Sequence, residues 1–574
     1  MGLLNSALQI GRSAILGYEG ALHVVGNNIS SAGSADYTRL TPELDPLTGR
    51  LIAANLQPGS GVALTAIQRN IDEALEGRLR LAIGQVESST TRQEVAAQVE
   101  TMFDDIIGTG VGARLNEYFA AFDELQNSPE DPAIRDLVIS RGAQLAEGLR
   151  ALRTQLTQLS EDIDKQISAL VETADGWARD IARLNEEITR AEAGRRGQAT
   201  ALRDQRDGLL RQLSEIFDVT VREQPNGTVN VYVGSEALVQ GASVRGLIAV
   251  REIVDGMVRT SVRFADTNQQ VAIHGGKLEG LLISRDQDSR IAALDELAAG
   301  IIAEVNRLHV DGQGLVGYES VTGTYDVLDV DAPLDSTLAG LPFPPRNGSF
   351  YLVVADDATG TPVAYRVDVD VDGSDVGMSL SALVDAINVQ VQGVTASITG
   401  DRRLQLTADD GFRFTFGHDG QIPREDTSGV LAALGINTFF SGTDAADIEV
   451  NGAIVEEPNL LAAASVNLDG DGVNAGRLAA LSTTALARLR DVSISGFYRT
   501  IANAAAVASA AAKSDTEAAT TVHQSLQAQR ENISGVNLDE EAISLVKYQR
   551  SFQGAARFVS TVDQLLAELV TLLR

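Results

Sequence analysis

Cysteine is absent from the 574 residues, which excludes disulfides, thiolate catalysis and cysteine-ligated metals. Basic residues are scarce. Lysine and arginine total 46 against 78 aspartates and glutamates, and the net charge of −32 opposes binding to nucleic acid or anionic membranes. The five histidines (His23, His274, His309, His418 and His523) are scattered, with no pair at a helical metal-ligand spacing. No glycine motif cradles a phosphate and no nucleophile elbow is present. Carboxylates abound, but nothing in their spacing singles out an acid/base pair. Long hydrophobic runs are also missing: Gln9, Gly11, Arg12 and Ser13 interrupt the apolar start, so it is neither a basic leader with a continuous apolar core nor a membrane span. These absences leave no candidate catalytic residue, metal site or cofactor site.

What is present is folded structure. Apolar residues make up 44% of the chain, and its length suits three or four domains. The clearest pattern is at the C-terminal end. Asn537 reads as a helix N-cap, with Glu540 placed to reach back to the cap's amide. Behind it, steps of four and three run through Leu538, Ala542, Leu545, Gln549, Phe552, Ala556, Val559, Asp563, Leu566, Val570 and Leu573, a 3.5-residue repeat. Such a helix cannot bury its stripe against itself, so it needs a partner element or a partner chain. The N-terminal end mirrors it: Leu4, Leu8, Gly11, Ile15, Tyr18, Leu22, Val25 and Ile29 keep the same stepping, with a stop expected near Asn27 and Asn28.

Between the ends, Ile67 to about Ala193 reads as helix. Asp131 caps, Pro132 takes the first helical position, and an apolar seam follows through Leu145, Leu149, Leu152, Leu156, Leu159, Ile163, Ile167, Leu170, Ala174, Trp177, Ile181, Leu184 and Ile188. The extra four-residue step between Ile163 and Ile167 is a stutter, which locally relaxes a supercoil. The period then changes to two. Val219 and Val221, then Val229, Val231 and Val233, flank Asn226-Gly227 and predict a hairpin. A helix returns from about Asp286 to His309. Strands are expected at Phe350–Ala355, Val363–Val371, Val394–Ile398, Leu404–Thr407 and Phe412–Phe416, with Ser379 capping a short helix through Ile387.

Two aspartate-rich loops resemble calcium loops in part. Asp368, Asp370, Asp372 and Gly373 match the front half, but Ser379 stands at the bidentate position, and alternation with Val367, Val369 and Val371 makes the aspartates a strand's wet face. Asn467, Asp469, Asp471 and Gly472 fail similarly at Leu478 and read as a plain loop. Tyr18 and Trp177 sit on seams and read as core.

The run from Ser534 through Gly535, Val536, Asn537, Leu538, Asp539, Glu540 and Glu541 to Ala542 resembles the C-terminal signature of the flagellar rod, hook and hook-associated proteins. So do Tyr548-Gln549-Arg550 and Thr561 to Leu566. Gly26-Asn27-Asn28-Ile29 with Tyr37-Thr38-Arg39 resembles that family's N-terminal motif, although Ser31-Ala32 and Asp36 depart from it. Further blocks narrow the resemblance to the members that join hook to filament: Leu202 to Leu213, Gly276 to Leu282, Asn306 to Gly312, and Leu434 to Ala445.

The resemblance implies a non-enzymatic axial protein of multidomain α+β fold, with coiled-coil terminal helices, a long-helix domain and β-rich outer insertions. The expected domains are 1–65, pairing with 531–574; a helical domain 66–215, completed by 281–312 and 474–530; a β-rich subdomain 216–280; and an outer insertion 320–473. The assembly seams expected on this reading are Leu4, Leu8, Ile15, Tyr18, Leu22, Val25 and Ile29 at one end, and Leu538, Leu545, Phe552, Val559, Leu566 and Leu573 at the other. Implied partners are further copies in a ring, the hook protein, the next junction protein and an export chaperone at the C-terminal helix, with neither nucleic acid nor membrane insertion. The implied location is the extracellular flagellum, reached by type III export without a cleaved leader. Competing readings are a hook or distal rod subunit, a rod-associated peptidoglycan hydrolase, and a coiled-coil adhesin. The central blocks weigh against the first, the lack of a catalytic domain against the second, and the missing leader against the third.

Overall fold

The computed structural model describes residues 2–34, 37–48, 59–104, 110–193, 197–254, 257–285, 287–358, 360–371, 377–419, 422–466 and 468–572. In chain order, α1 (Gly2–Ser31) leads into a hairpin, β1 (Leu40–Pro46) and β2 (Val62–Arg69), and then α2 (Glu73–Met102), α3 (Val111–Asn127), α4 (Pro132–Ala191) and α5 (Thr200–Ile216). Six strands follow: β3 (Thr220–Glu223), β4 (Val229–Val233), β5 (Glu236–Gln240), β6 (Ser243–Val244), β7 (Leu247–Val254) and β8 (Met257–Phe264). After α6 (Gly276–Ser284) and α7 (Asp288–His309) come β9 (Ser320–Thr322), β10 (Gly348–Asp356), β11 (Pro362–Val369), α8 (Leu380–Gln390), β12 (Val394–Ile398), β13 (Leu404–Ala408) and β14 (Phe412–Phe416). The remainder is α9 (Val430–Leu434), β15 (Phe440–Ser441), β16 (Glu449–Val450), α10 (Gly452–Glu456), α11 (Val473–Ala480), α12 (Ile494–Ser534) and α13 (Leu538–Leu572). The fold is mixed α+β with small antiparallel sheets, and no described helix is long and apolar enough to cross a membrane. The chain divides into two compact units, residues 1–95, 161–285 and 510–574 in the first, and 96–160 and 286–509 in the second.

The long helix starts as its cap chemistry dictates: the Asp131 carboxylate accepts the Ala133 amide at 2.9 Å, and Pro132 opens the helix. Its buried seam follows the apolar stripe to Ile167 and then moves by one residue. Val171 and Ala178 are buried where the strict repeat points to Leu170 and Trp177, both half-buried. The stutter has a second four-residue step behind it, so the seam drifts back toward the natural 3.6 period.

In the first unit, β3 to β6 form an antiparallel sheet docked on α4 and α5 through polar groups. Asn185 donates to the Val229 and Gly241 carbonyls and accepts from the Val229 amide and from Arg206. Arg206 also holds the Gly227 carbonyl, in the turn that the Asn226-Gly227 pair predicts. Gly276 needs to be glycine: its φ is +68°, and a Cβ there would lie 2.2 Å from the Ile216 carbonyl carbon.

In the second unit, two stretches far apart in sequence meet in a buried polar joint. The Asn306 side chain accepts the Phe439 and Phe440 amides and donates to the Phe440 carbonyl. His309 bonds the Asn437 carbonyl through Nδ1 at 2.7 Å and accepts the Ala462 amide on Nε2 at 3.0 Å, which fixes the tautomer. Burial holds this imidazole down at about 4, so it is neutral. Beyond the joint, the sheets β11-β10-β14 and β12-β13-β9 enclose one core with α8, whose cap is the Ser379 hydroxyl accepting the Ala382 amide. Val367, Val369 and Val371 are buried in that core while Asp368 and Asp370 face water, Asp368 paired with Arg366. Asp372 and Gly373 lie outside the described residues, as does Asn467. Asp471 is occupied as a cap, accepting the Ser465, Val466 and Val473 amides.

Candidate assembly interface

Within the first unit the two terminal helices pack against each other in opposite directions. Gly11 lies under Val559, the Tyr18 and Tyr548 rings approach to 6.5 Å, and Asn28 reaches Glu541. The first helix is pressed from a second side by the β1–β2 hairpin, where Leu44 and Leu64 meet Gly17 and Gly20. Small residues at 11, 17 and 20 let backbone approach on both sides.

A polar elbow anchors the pair. Asn28, only 1% exposed, saturates its amide: Nδ2 donates to the Leu40 carbonyl and to Glu541, and Oδ1 accepts the Leu40 amide and the Tyr37 hydroxyl. Arg39 forks across to Glu541 at 2.9 Å and Glu540 at 2.7 Å, and its amide donates to the Ser534 carbonyl. Burial, with Asp204 and Glu541 nearby, pushes the Tyr37 phenol up to about 12, so it remains a donor. Glu540 therefore serves Arg39, while Asn537 caps α13 by accepting the Asp539 amide. The end of α12 is tied down beside this elbow, with buried Glu76 receiving both Arg530 at 2.7 Å and Arg211 at 3.5 Å. Because Asn28 is held from two sides, α1 continues to Ser31, past the stop expected at Asn27 and Asn28.

Glu541 sets the rotation of α13. With it turned inward, the packed face runs through Tyr548, Ala555 and Val562, each seven residues on, with Phe552, Val559 and Leu566 half-buried beside it. The 538, 545, 552, 559, 566 half of the sequence seam borders this face, while Ala542 and Gln549 of the other half turn outward and Ala556 is half-buried. Leu538 is 55% exposed and Leu545 sits at the rim at 36%. On the first helix Val25 is buried, and Leu8, Ile15, Tyr18, Leu22 and Ile29 are half-buried. The side chain of Leu4, and Leu573 altogether, lie outside the described residues. Ile543 and Val546 face water on the outer side, and Phe558 and Leu565, three residues on from Ala555 and Val562, are exposed at the edge of the packed face, where Phe558 also reaches Gly11. Sequence periodicity follows one seam, so it does not mark Ile543 and Val546. The signal was the extra branched and aromatic residues between the seam positions.

Comparison with known proteins places the molecule. The family pattern of the flagellar hook-associated protein FlgK helical domain matches residues 96–323, the flagellar basal body rod FlgEFG protein C-terminal pattern matches 527–572, and the flagellin hook IN motif matches 355–410. Flagellar hook-associated protein 1 of Salmonella typhimurium is 27% identical, with 99% of this chain and 100% of that protein covered. The same protein of Escherichia coli is 26% identical, with 99% of each covered, and that of Bacillus subtilis 22% identical, with 98% and 97% covered. The solved flagellar hook junction protein FlgK from Burkholderia pseudomallei shares the fold at a TM-score of 0.50 and 18% identity, covering 79% of this chain and 99% of that one. Relatives matched from end to end, with a FlgK helical-domain pattern in the middle and a flagellar rod pattern at the C-terminus, support recognition of the chain as similar throughout to flagellar hook-associated protein 1.

Proposed function

We propose that this chain is the structural subunit joining hook to filament in the bacterial flagellum, assembled as a ring through its terminal helices. It is a structural protein rather than an enzyme, and a component of an exported, extracellular structure. The observation that carries the ring reading is the outer face of α13. Ile543 and Val546 are exposed on the outer side of a terminal helix whose inner side already has a partner, and Leu538, Phe558 and Leu565 are exposed at the edges of that inner side. Large apolar side chains left exposed along one helix are the mark of a surface that another chain covers. On this reading one face of the ring meets hook subunits and the other meets the next junction protein. An export chaperone covers the C-terminal helix before assembly. Export proceeds through the flagellum's own channel.

A hook or distal rod subunit would share the termini. The helical-domain match at 96–323 and the end-to-end match to the curated relatives favour the junction reading. The test is genetic. A strain lacking this chain is expected to build hooks and to release filament subunits into the medium, and immunolabelling of wild-type cells is expected to give one spot between hook and filament. Normal filaments on the deletion strain would exclude the junction role.

A further inference from the structure

The chain holds three Asn-Gly pairs, at 226–227, 347–348 and 451–452, and the fold treats them differently. An asparagine side chain can close on the next backbone amide, most readily before glycine, which has no Cβ to obstruct the approach. Asn451 is 7% exposed, and both ends of its amide are engaged: Nδ2 donates to the Thr438 carbonyl, and Oδ1 accepts the Ala453 amide. Asn347 accepts the Val371 amide at 2.6 Å, and Gly348 is paired with Val369 in the sheet. Asn226 is exposed, at the tip of the β3–β4 hairpin. Its Oδ1 accepts the Thr228 amide at 3.2 Å and the Thr228 hydroxyl at 2.8 Å, while its Nδ2 has no partner among the described residues. Those two bonds span residue 227 and fold the side chain back across the Gly227 peptide. Gly227 stands at φ +84°, and its amide donates to the Gln224 carbonyl at 3.0 Å. Opening that one turn bond frees the amide, with no ladder or helix bond broken alongside it.

We infer that Asn226 is a site of spontaneous covalent modification, converting to aspartate and isoaspartate as the folded protein ages. The Gly227 nitrogen gives its proton to solvent and bonds to Asn226 Cγ. The Thr228 amide and hydroxyl already hold the oxygen on which negative charge then develops. The Cγ–Nδ2 bond breaks, ammonia leaves with a proton taken from water, and a succinimide ring remains. Water opens the ring at Cγ to give aspartate, or at the backbone carbonyl to give isoaspartate, whose main chain runs through the side chain and is one carbon longer. The longer turn draws the Gly227 carbonyl off Arg206, which donates to it at 2.8 Å through Nη1. Arg206 is 2% exposed, so water does not replace the lost acceptor. Conversion therefore loosens the hold of α5 on the β3–β4 hairpin. The inference stands independently of the ring reading.

The test is incubation of the purified full chain at mildly alkaline pH, followed by peptide mass mapping and isoaspartate labelling. A parallel sample unfolded in urea gives the rate that each pair has without the fold. In the folded chain Asn226 is expected to convert about tenfold faster than Asn347 and Asn451, whereas in urea the three rates converge. The melting midpoint of the incubated chain is expected to fall by about 5 °C. Asn226→Ser keeps an acceptor for the Thr228 amide and has no side-chain amide to lose. It is expected to start at the parent midpoint and to hold it through the incubation. Equal rates at the three pairs in the folded chain, or conversion of Asn226 in urea only, overturn the site. A midpoint that falls equally in the parent and in Asn226→Ser overturns the link to the Arg206 contact.

Discussion

Asn28 donates its side-chain amide to the Glu541 carboxylate at 3.0 Å, joining two residues 513 positions apart. The bond is buried, and Arg39 supplies the charge that makes burying Glu541 tolerable. This pair fixes where the C-terminal helix begins and which way it faces, and so which apolar residues remain outside. Removing one partner of such a group costs about 3–5 kcal/mol. Glu541→Ala is therefore expected to free the β1 amides and the first turn of α13, raising their hydrogen exchange without altering exchange around Leu145 to Ile167. Unchanged protection at Leu40 and Ala542 would contradict this role for the elbow.

Both sides of the elbow lie in stretches that stand out in the sequence, Asn28 to Arg39 and Ser534 to Ala542. What the sequence does not contain is their meeting. Periodicity reports which side of a helix is apolar, but α13 carries apolar residues outside its packed face too, and an inward carboxylate sets which side packs. The strands from Phe350 to Phe416 were legible because alternation and turn residues act locally. The joint of Asn306 and His309 with residues 437–440 was not, since a side chain satisfied by distant backbone leaves no period to read.

Gly11 predicts a compensating pair. A Cβ built there would lie 2.3 Å from Val559 Cγ2 and 3.2 Å from Phe558. In an isolated helix Gly→Ala stabilises by about 1 kcal/mol, but here the added methyl meets a β-branched side chain with little rotamer freedom. Gly11→Ala is expected to lower the stability of the terminal pair, and Val559→Ala in the same chain to restore it. A double-mutant cycle with no coupling between the two positions would contradict direct packing.

The second unit carries two opposed pH responses. Burial lifts the Asp311 carboxyl to about 7, with the Asp426 amide and Arg477 pulling the other way and Glu425 and Asp426 adding to the rise. Its folded value lies above its unfolded one, so folding takes up a proton. This contribution is full below about pH 4 and is lost as pH rises to about 7. His309 behaves oppositely: burial lowers it to about 4, so its contribution is present above about 6.5 and is lost as pH falls toward 4. Asp311→Asn is expected to leave the histidine response unopposed, so thermal stability rises more steeply from pH 4 to 6.5 than in the parent and no longer declines toward pH 7. Parallel curves for the two proteins would mean that Asp311 is not protonated in the fold.

The last prediction separates folding from assembly on one helix. Val562 is 5% exposed on the inner side of α13, and Ile543 is 71% exposed on the outer side. An aspartate at 562 places a charge where water cannot reach it, a cost of several kcal/mol. The terminal pair should open, seen as fast amide exchange along α1 in the purified chain. An aspartate at 543 meets water in the isolated subunit and should leave exchange and melting unchanged. In a ring that covers this face it would be desolvated in every copy. Both variants are thus expected to leave cells without attached filaments, only Val562→Asp with a loosened monomer. Wild-type filament attachment with Ile543→Asp would show that the outer stripe stays wet in the flagellum, and the seat of assembly would then have to lie elsewhere.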